Sequence, residues 1–352
     1  MKRIIVICTA FFITCCNVSA AEKFADWNPE APALNALIDY VETVTDPDSS
    51  DYIPVEDRIA VFDMDGTLFP ELNPTYLADY LLAQRIFNDP DYEPDEEMLK
   101  FGCDLRDHML EGDFPDYVTN EFDDYYSRAF AGITLDEFDD FVTRMVAREA
   151  DGFEGMTYAE AFFDPMVEVV EYLEDNDFEV FMCSGNDRFI SRTLAREGEL
   201  DIPYENIIGT DYVLQIVEGV DPETQEMTEA EGDFEEGDAV VRTEQVIVYN
   251  YKKNKVTQIT QEIGRRPVLS FGNSSGDVSM HNYTLSDNPY KSMAFMLVAD
   301  DGERDYGTEG EEKRERWEAS GYQVISMAND WKTIYGSDVE KTGSFHWVED
   351  LS

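Results

Sequence analysis

The sequence RIAVFDMDGT at residues 58–67 sets the architecture of the chain. Residues 58–62 form a short and largely apolar run, which predicts a buried strand. The strand gives way to a polar loop in which Asp63 and Asp65 are separated by one residue. Because sites in parallel α/β sheets lie at the carboxyl ends of strands, we expect both carboxylates to face one site.

Further strand patterns follow along the chain, and helical patterns alternate with them. Short apolar runs predict strands at residues 179–183, 206–209, 267–271, 294–299 and 323–326. Helical periodicity is clear between residues 33 and 44 and from Asp164 to Leu173, where Pro165 suits a first helical turn. This alternation predicts an α/β fold with a Rossmann-like parallel sheet and right-handed crossovers.

Residues 73–151 have a helical pattern that is rich in Tyr and Phe. A capping box at residues 134–137 precedes apolar residues at helical spacing. We predict a helical cap domain inserted after the first strand and its loop. Its aromatic residues are expected to pack in the helix core more often than to form a ligand cage. The clearest of them are Tyr117, Phe122, Tyr125, Tyr126 and Phe130.

The rest of the mature chain is assigned to one core domain made of residues 21–72 and 152–352. Residues 218–245 contain a long acidic stretch, and we predict that they form a loop or loose hairpin within the core. Cys103 and Cys183 are the only cysteines after residue 16, which is too few for a disulfide framework.

The first twenty residues have the composition of a secretory signal peptide. Two cationic residues precede an apolar run, and small residues at positions 18–20 follow it. We therefore expect residues 1–20 to be removed on export. The mature protein is predicted to be secreted into the periplasm, without a membrane anchor.

The chain contains 77 acidic and 26 basic residues, for a formal net charge of −51. Nucleic acids and anionic membranes are poor partners for such a chain. The acidity fits either a saline habitat, where salt screens the repulsion, or an ordinary solvated surface. An anionic substrate needs local positive charge, and the candidates are Lys252, Lys253, Lys255, Arg265 and Arg266.

Four polar clusters fall where the pattern places the end of a strand or the start of a helix. They are Asp63 with Asp65, Ser184, Lys255, and Asn273 with Asp277. We expect them to converge at one edge of the sheet. Phosphoryl transfer needs such a set, because charge on oxygen must be stabilised by metal, ammonium and fixed donors. A carboxylate nucleophile with a second carboxylate beside it can divide the displacement into two easier steps.

These clusters resemble the four motifs of haloacid dehalogenase superfamily phosphatases. The resemblance rests on Asp63-Met64-Asp65-Gly66-Thr67, Ser184, Lys255 and Asn273-Ser274-Ser275-Gly276-Asp277. It implies that Asp63 is the nucleophile and Asp65 the general acid and base. It also implies that Ser184, Gly185 and Lys255 bind the phosphoryl group. The implied magnesium ligands are Asp63, the backbone carbonyl of Asp65, Asn273 and Asp277.

Asn273 departs from the phosphoserine phosphatase branch, which the spacing otherwise resembles. That branch has Asp at this position, and Asn keeps the oxygen but loses the charge. The order of signal peptide, helical insert and acidic excursion also resembles that of secreted phosphorylcholine phosphatases. The expected substrate is a small soluble phosphate ester. The acids and aromatic rings of the insert favour a leaving group with a cation, such as choline or an amino group, bound by Glu71.

Two other functions fit parts of the sequence. Gly272-Asn-Ser274-Ser-Gly276 matches the elbow of serine hydrolases, and Asp300 and His346 follow it in the required order. This alternative leaves the Asp63 loop unexplained. A secreted binding protein on a degenerate core is the other alternative, but such a protein would be expected to lose one of its catalytic residues, and none is lost.

Overall fold

The computed structural model describes the chain in five segments, which are residues 23–71, 75–109, 113–220, 227–229 and 232–345. The predicted signal peptide at residues 1–20 and His346 lie outside the described residues. Cys103 and Cys183 are free thiols, and Cys183 is fully buried. No helix of the described segments is long and apolar enough to cross a membrane.

The core is a mostly parallel sheet with the strand before Asp63 near its centre. Its strands are β1 (Ile59–Phe62), β3 (Glu179–Asp187), β4 (Ile207–Val220), β5 (Met227–Glu229), β6 (Ala239–Val248), β7 (Leu269–Gly272), β8 (Met293–Val298) and β9 (Gln323–Ser326). The order is β5-β4-β3-β1-β7-β8-β9, and β6 pairs with β4. A separate antiparallel pair joins β2 (Phe153–Glu154) to β10 (Glu340–Lys341). The predicted α/β class and Rossmann-like sheet are confirmed.

The register of the central strands stacks three aromatic rings across the sheet. Phe62 on β1 lies opposite Phe271 on β7, which lies opposite Phe295 on β8. Their ring centroids are 4.2 and 4.7 Å apart, with nearly parallel planes. All three side chains are buried. Such stacking in a close-packed core fixes how β1 and β7 sit beside each other, and both strands lead into predicted site loops.

Helices cover both faces of the sheet. They are α1 (Pro32–Thr45), α6 (Asp164–Glu174), α7 (Arg188–Glu197), α8 (Lys253–Gln258), α9 (Val278–Leu285), α10 (Glu311–Ala319) and α11 (Met327–Asp330). The predicted helix over 33–44 matches α1. Asp164 is the first residue of α6 rather than its N-cap, which is Phe163. A π-helical turn, Ile259–Ile263, continues from α8 and ends at Gly264, whose φ of 70° closes the helix in the left-handed conformation.

Four helices follow β1 before the chain returns to the sheet. They are α2 (Leu77–Asn88), α3 (Glu96–His108), α4 (Asp116–Ala129) and α5 (Leu135–Val146). The predicted capping box begins α5, since Thr134 Oγ1 accepts from the Glu137 amide and the Glu137 carboxylate accepts from the Thr134 amide. Tyr125 stacks on Phe101 with ring centroids 3.9 Å apart, so this aromatic pair packs α4 against α3.

Hydrogen bonds from α7 and β6 fasten the helical insert to the core. Arg196 on α7 donates twice to Asp139 on α5, over 2.9 and 3.0 Å, and Thr193 donates to the same carboxylate over 2.5 Å. The link between α4 and α5 runs beside β6, where the Gly132 amide donates to the carbonyl of Arg242 over 2.7 Å. A lid motion of the whole insert would have to break these contacts.

The loop or loose hairpin predicted at residues 218–245 overlaps two paired strands that extend beyond those bounds. Strand β4 continues to Val220, and β6 begins at Ala239 and pairs with β4 from Val217 back to Asp211. The excursion is therefore a long antiparallel hairpin that starts well before residue 218. Acidic residues such as Glu244 are exposed on these strands, and a strand with one solvated face tolerates them. The acidic composition of this region therefore does not require a loop.

A buried aspartate should make stability depend on pH. Asp305 accepts from Tyr335 OH over 3.0 Å, and burial raises the pKa of Asp305 to about 6. The unfolded chain releases this proton more readily, so stability falls as pH rises from about 4 to above 6, by up to about 3 kcal/mol. We expect Asp305→Asn to raise the free energy of unfolding at about pH 8 but not at about pH 4.

Urea unfolding at the two pH values measures this effect. The exposed Asp338 supplies the control, because Asp338→Asn removes the same charge from the surface. A gain from Asp305→Asn that is equal at both pH values, or no larger than that of the control, would show that the buried carboxylate does not cause the dependence.

Candidate active site

The loops after β1 and β7, the end of β3 and the first turn of α8 line one side of a cavity of about 510 Å³. It lies at the carboxyl ends of the parallel strands. The predicted site residues that line it are Asp63, Asp65, Glu71, Gly185, Lys255, Asn273 and Asp277. Ser184 is fully buried and lies behind the wall that Gly185 and Asn186 form. The structure thus brings all but one of the predicted residues to a shared surface.

Lys255 joins two carboxylates from different loops. Its ammonium donates to Asp63 Oδ1 over 2.5 Å and to Asp277 Oδ1 over 2.7 Å, and all three residues are buried. Burial alone would lower the pKa of Lys255, but the two carboxylates outweigh it and raise the pKa. The ammonium therefore stays charged. Helix α8 begins at Lys253, so Lys255 lies in its first turn rather than at its start.

The two acids after β1 hold protons more tightly than ordinary aspartates. Burial and the charge of Asp277 raise the pKa of Asp63 to about 7. Burial, Asp63 and Glu71 raise the pKa of Asp65 well above its usual range, although a hydrogen bond from Asn186 opposes the shift. An aspartic acid that keeps its proton near neutral pH can act as a general acid.

Asp277 organises the loop after β7. Its Oδ2 accepts from the backbone amides of Asn273 and Ser274, each over 3.1 Å. Burial alone would raise the pKa of Asp277, but Lys255 and these donors outweigh it and hold the pKa below its usual range. The carboxylate is therefore ionised and fixed. A Cβ on Gly272 would lie 2.5 Å from the Asp277 side chain, so glycine is needed before this loop.

Gly66, Asn273 and Glu71 connect the first motif to the fourth. Gly66 has φ +77°, and a Cβ on it would lie 1.8 Å from Asn273 Nδ2, so no larger residue fits. Asn273 Nδ2 donates to Glu71 Oε2 over 2.8 Å, and Tyr76 OH donates to Glu71 Oε1 over 2.8 Å. The amide oxygen of Asn273 has no hydrogen-bond donor within the described segments, which leaves it available to a ligand.

Ser184 lies within β3 rather than after it, and hydrogen bonds from neighbouring strands and loops fix this end of the strand. Asn250 Nδ2 donates to the Ser184 carbonyl over 2.8 Å, and Thr210 Oγ1 donates to the Gly185 carbonyl over 2.7 Å. Ser184 Oγ accepts from the Asn186 amide over 3.0 Å. Sequence reasoning missed the roles of Asn186, Thr210 and Asn250. Asn186 could have been found because it follows Ser184-Gly185 directly, but no local pattern marks Asn250.

The helical insert, the hairpin of β4 and β6, and Tyr251 after the hairpin form the other wall of the cavity. Its side chains are mostly aromatic, aliphatic or acidic, and they include Asp79, Leu105, Phe114, Val118, Thr119, Phe122, Asp123, Tyr126, Tyr212 and Tyr251. Burial raises the pKa of Asp79 to about 6, and Thr75 Oγ1 donates to its carboxylate over 2.6 Å. Burial also raises the pKa of Asp123. This wall offers ring faces and carboxylates to a bound molecule.

A buried arginine fills the aromatic cluster behind this wall. The guanidinium carbon of Arg242 on β6 lies 3.9 Å from the ring centroid of Tyr212 and 4.6 Å from that of Phe138. Arg242 pairs with Asp187, which also accepts from Tyr126 OH over 3.3 Å. The side chains of Arg242 and Asp187 are 0% and 2% exposed. These rings therefore pack around a cation of the chain itself.

A comparison with protein families agrees with the arrangement of the four motifs. The model of the haloacid dehalogenase-like hydrolases matches residues 60–281, a span that contains every cluster described above. The chain belongs to the haloacid dehalogenase-like hydrolase family. A search among curated proteins finds no match to this hydrolase.

Solved structures with similar folds include proteins from three bacteria. A functionally unknown protein from Anaerococcus prevotii has 14% identity and a TM-score of 0.51, with 91% of this chain and 98% of that chain covered. A protein of unknown function from Bordetella pertussis has 16% identity and a TM-score of 0.45, with 76% of this chain and 97% of that chain covered. A phosphoserine phosphohydrolase-like protein from Francisella tularensis has 16% identity and a TM-score of 0.39, with 76% of this chain and 94% of that chain covered. Only the first likeness bears on this hydrolase, and it shows the fold alone.

Magnesium fits the donor chemistry of this hydrolase. Its motif residues bring the carboxylates of Asp63 and Asp277 to one shared ammonium, so the two acids lie close together. Oxygen ligands of this kind suit Mg²⁺. Burial and, after it, the charge of Asp277 raise the pKa of Asp63 despite the neighbouring Lys255. Among the described residues no three His, Cys, Asp or Glu side chains converge as a cage. The ion would therefore also need the Asp65 carbonyl and Asn273.

The serine hydrolase alternative lacks support in the geometry of Ser274. A nucleophile elbow strains its serine. The non-glycine residues of the described segments with positive φ are Asp177, Glu199, Lys252 and Asp287, and Ser274 is not among them. Asp300 accepts from Ser326 and Ala328, and His346 lies outside the described residues. This hydrolase has its convergent acids and ammonium at Asp63 instead.

Proposed function

We propose that this hydrolase is a magnesium-dependent phosphomonoesterase that acts through a phosphorylated Asp63. The observation that carries the proposal is the buried cluster of Asp63, Lys255 and Asp277 with Asp65 beside it. A nucleophilic carboxylate, a fixed ammonium and a protonated acid in one cavity are the parts that phosphoryl transfer needs. Family membership supports hydrolysis but names no substrate.

In the first step an oxygen of Asp63 attacks phosphorus and the bond from phosphorus to the ester oxygen breaks. The departing oxygen takes the proton of Asp65, whose raised pKa keeps that proton available. Lys255 and Gly185, which both line the cavity, would bind the phosphoryl oxygens. The alcohol leaves, and the phosphoryl group remains on Asp63.

In the second step Asp65 acts as a base. Its carboxylate removes a proton from a water molecule, and the water oxygen attacks phosphorus. The bond between phosphorus and Asp63 breaks, which releases inorganic phosphate and restores both carboxyl groups to their starting state. Ser184 contributes to the reaction indirectly. Its hydroxyl accepts from the Asn186 amide and so orients the end of β3 beside the phosphoryl group.

Magnesium would be held by Asp63, Asp277, the backbone carbonyl of Asp65 and Asn273. When bound, the ion supplies positive charge that stabilises the phosphoryl oxygens in the transition state. Asn273 contributes no charge, and its nitrogen is already bonded to Glu71. Chelation by EDTA should therefore abolish activity, and added Mg²⁺ should restore it.

The leaving group is proposed to be small and to carry a cation. The cavity of about 510 Å³ suits a small ester. Glu71, Asp79 and Asp123 place carboxylates in its wall, and Phe122 and Tyr251 add ring faces. An ammonium group would gain from both kinds of contact, whereas a leaving group with a net negative charge would be repelled.

We also propose that residues 1–20 direct export and that residues 73–151 act as a cap domain. The cap supplies the wall around Asp123, and the motif residues lie in the core. Specificity would then reside in the cap and chemistry in the core. The hairpin of β4 and β6 contributes Tyr212 to the same wall, so it is part of the covering structure.

A panel of phosphate esters tests this function. Purified protein with Mg²⁺ should release inorganic phosphate, and kcat/KM should be highest for phosphocholine, phosphoethanolamine or phosphoserine. We expect these esters to exceed sugar phosphates and nucleotides by about tenfold or more, which corresponds to about 1.4 kcal/mol of transition-state preference. A lead of similar size for nucleotides or sugar phosphates would remove the cationic leaving group from the proposal.

Three variants serve as controls for this panel. Glu71→Gln and Asp123→Asn keep the shape of the wall and remove one charge, so each should reduce the preference for cationic esters more than the rate with a neutral aryl phosphate. Ser274→Ala should stay active, because its hydroxyl only supports the Asp277 loop. Loss of all activity in Ser274→Ala would instead favour the serine hydrolase alternative.

A further inference from the structure

Lys252 adopts a backbone conformation that is strained for a residue with a side chain. Its φ is 51° and its ψ is −117°. The Tyr251 carbonyl accepts from the Asn254 amide over 2.9 Å, so Lys252 holds the second position of a type II′ turn. Glycine is favoured there because other residues crowd their own backbone. Such strain persists at sites where function or the surrounding structure imposes it.

Lys252 also lines the active-site cavity, and its ammonium group has no ion-pair partner among the described residues. Lys255 is the other cation in the lining, and its ammonium is engaged by Asp63 and Asp277. Lys252 makes no ion pair with any carboxylate in the five described segments. A free lysine is notable in a chain with 77 acidic and 26 basic residues.

The other basic residues near this part of the sequence do not reach the cavity. Lys253 is exposed and is not part of its lining. Arg265 donates to the carbonyl of Glu56, and Arg266 donates to the carbonyls of Tyr283 and Ser286. Of the five cations that the sequence offers for attracting an anion, the cavity receives Lys255 and Lys252.

We propose that Lys252 captures the phosphate dianion of the substrate at the cavity and that the strained turn holds it in place for this purpose. The inference rests on the proposed phosphomonoesterase function. A dianion that enters a cavity lined by Glu71 and Asp123 meets like charge, and the ammonium of Lys252 offsets that repulsion. Lys252 is thus a substrate-binding residue that adds to the four motifs.

Lys252→Gly should both stabilise the protein and weaken substrate binding. Glycine relaxes the turn, so the melting temperature should rise by about 1–3 °C. Removal of the charge should raise KM about tenfold with little change in kcat, because the contact holds substrate and transition state alike. Binding of inorganic phosphate, measured by calorimetry with Mg²⁺ present, should weaken about tenfold as well.

Two matched variants separate charge from conformation. Lys252→Arg keeps the charge and should keep KM and phosphate affinity within about twofold of the wild type. Lys253→Ala removes the neighbouring charge and should change neither. Added salt should raise the KM of the wild type more steeply than that of Lys252→Gly, because the captured charge is partly exposed.

The results distinguish this inference from the proposed function. If Lys252→Gly is more stable but keeps the wild-type KM and phosphate affinity, or if Lys252→Arg loses as much as glycine does, the capture role is wrong. If the wild type hydrolyses no ester but binds phosphate in a manner that depends on Lys252, the catalytic proposal fails and the anion site stands.

Discussion

Replacement of Asp63 by Asn should lower kcat more than about a hundredfold while the protein stays folded. The amide cannot attack phosphorus, so no phosphoryl group can be held on this residue. Folding should survive, because Asn is nearly isosteric and Lys255 keeps its bond to Asp277 over 2.7 Å. Loss of a buried carboxylate whose pKa is raised to about 7 also removes a group that is costly to ionise.

The measurement is release of inorganic phosphate from an aryl phosphate, with melting temperature as the folding check. Mass spectrometry of acid-quenched wild type should find a phosphoryl adduct on the peptide that contains Asp63. Asp65→Asn is the informative companion, because it keeps the nucleophile and should let the adduct accumulate with an ester whose leaving group needs no proton. Retention of more than about a hundredth of the wild-type rate by Asp63→Asn would refute the covalent role.

Replacement of Arg242 by Met should lower the free energy of unfolding by about 3–5 kcal/mol. Arg242 and Asp187 are paired with side chains only 0% and 2% exposed, so removal of the cation leaves a carboxylate buried without its partner. Tyr126 OH and the Phe189 amide would still donate to Asp187, but neither carries a charge. Methionine fills much of the same space, so the loss should come mainly from the unpaired charge.

Urea unfolding of Arg242→Met measures this loss, and Arg196→Met is the matched control. Arg196 pairs with Asp139 of the helical insert, but their side chains are 37% and 39% exposed, and such pairs contribute less than about 1 kcal/mol. Addition of Asp187→Asn to Arg242→Met should recover part of the stability, because it removes the stranded charge. Equal losses in the two arginine variants would contradict the importance of burial at Arg242.

The parts of this structure that sequence predicts are those encoded locally. Strand 58–62 was expected and Ile59–Phe62 is found, because an apolar run before a polar loop carries its own pattern. The capping box at Thr134 is confirmed for the same reason. Convergence of the motif loops follows from parallel strand order, which helical crossovers impose on any such chain.

Long-range contacts could not be predicted in the same way. Asn250 donates to the Ser184 carbonyl, and Arg242 pairs with Asp187. In each case the two residues lie far apart in the sequence, and no local pattern relates them. The extent of β6 was missed because the sequence before it, residues 229–238, is acidic and suggests a loop when composition alone is considered. The strain at Lys252 was also hidden, since a turn rule would have placed glycine there.

The contact between the cap and the hairpin has a consequence for self-association. A sheet edge with open amides and carbonyls can recruit a strand from another molecule. Along the outer side of β6, Arg242 has both backbone groups bonded to residues 132 and 133, and Thr134 bridges Val241. The helical insert therefore covers the edge of β6. A chain whose insert detaches would expose this edge, and strands of other molecules could pair with it and start aggregation.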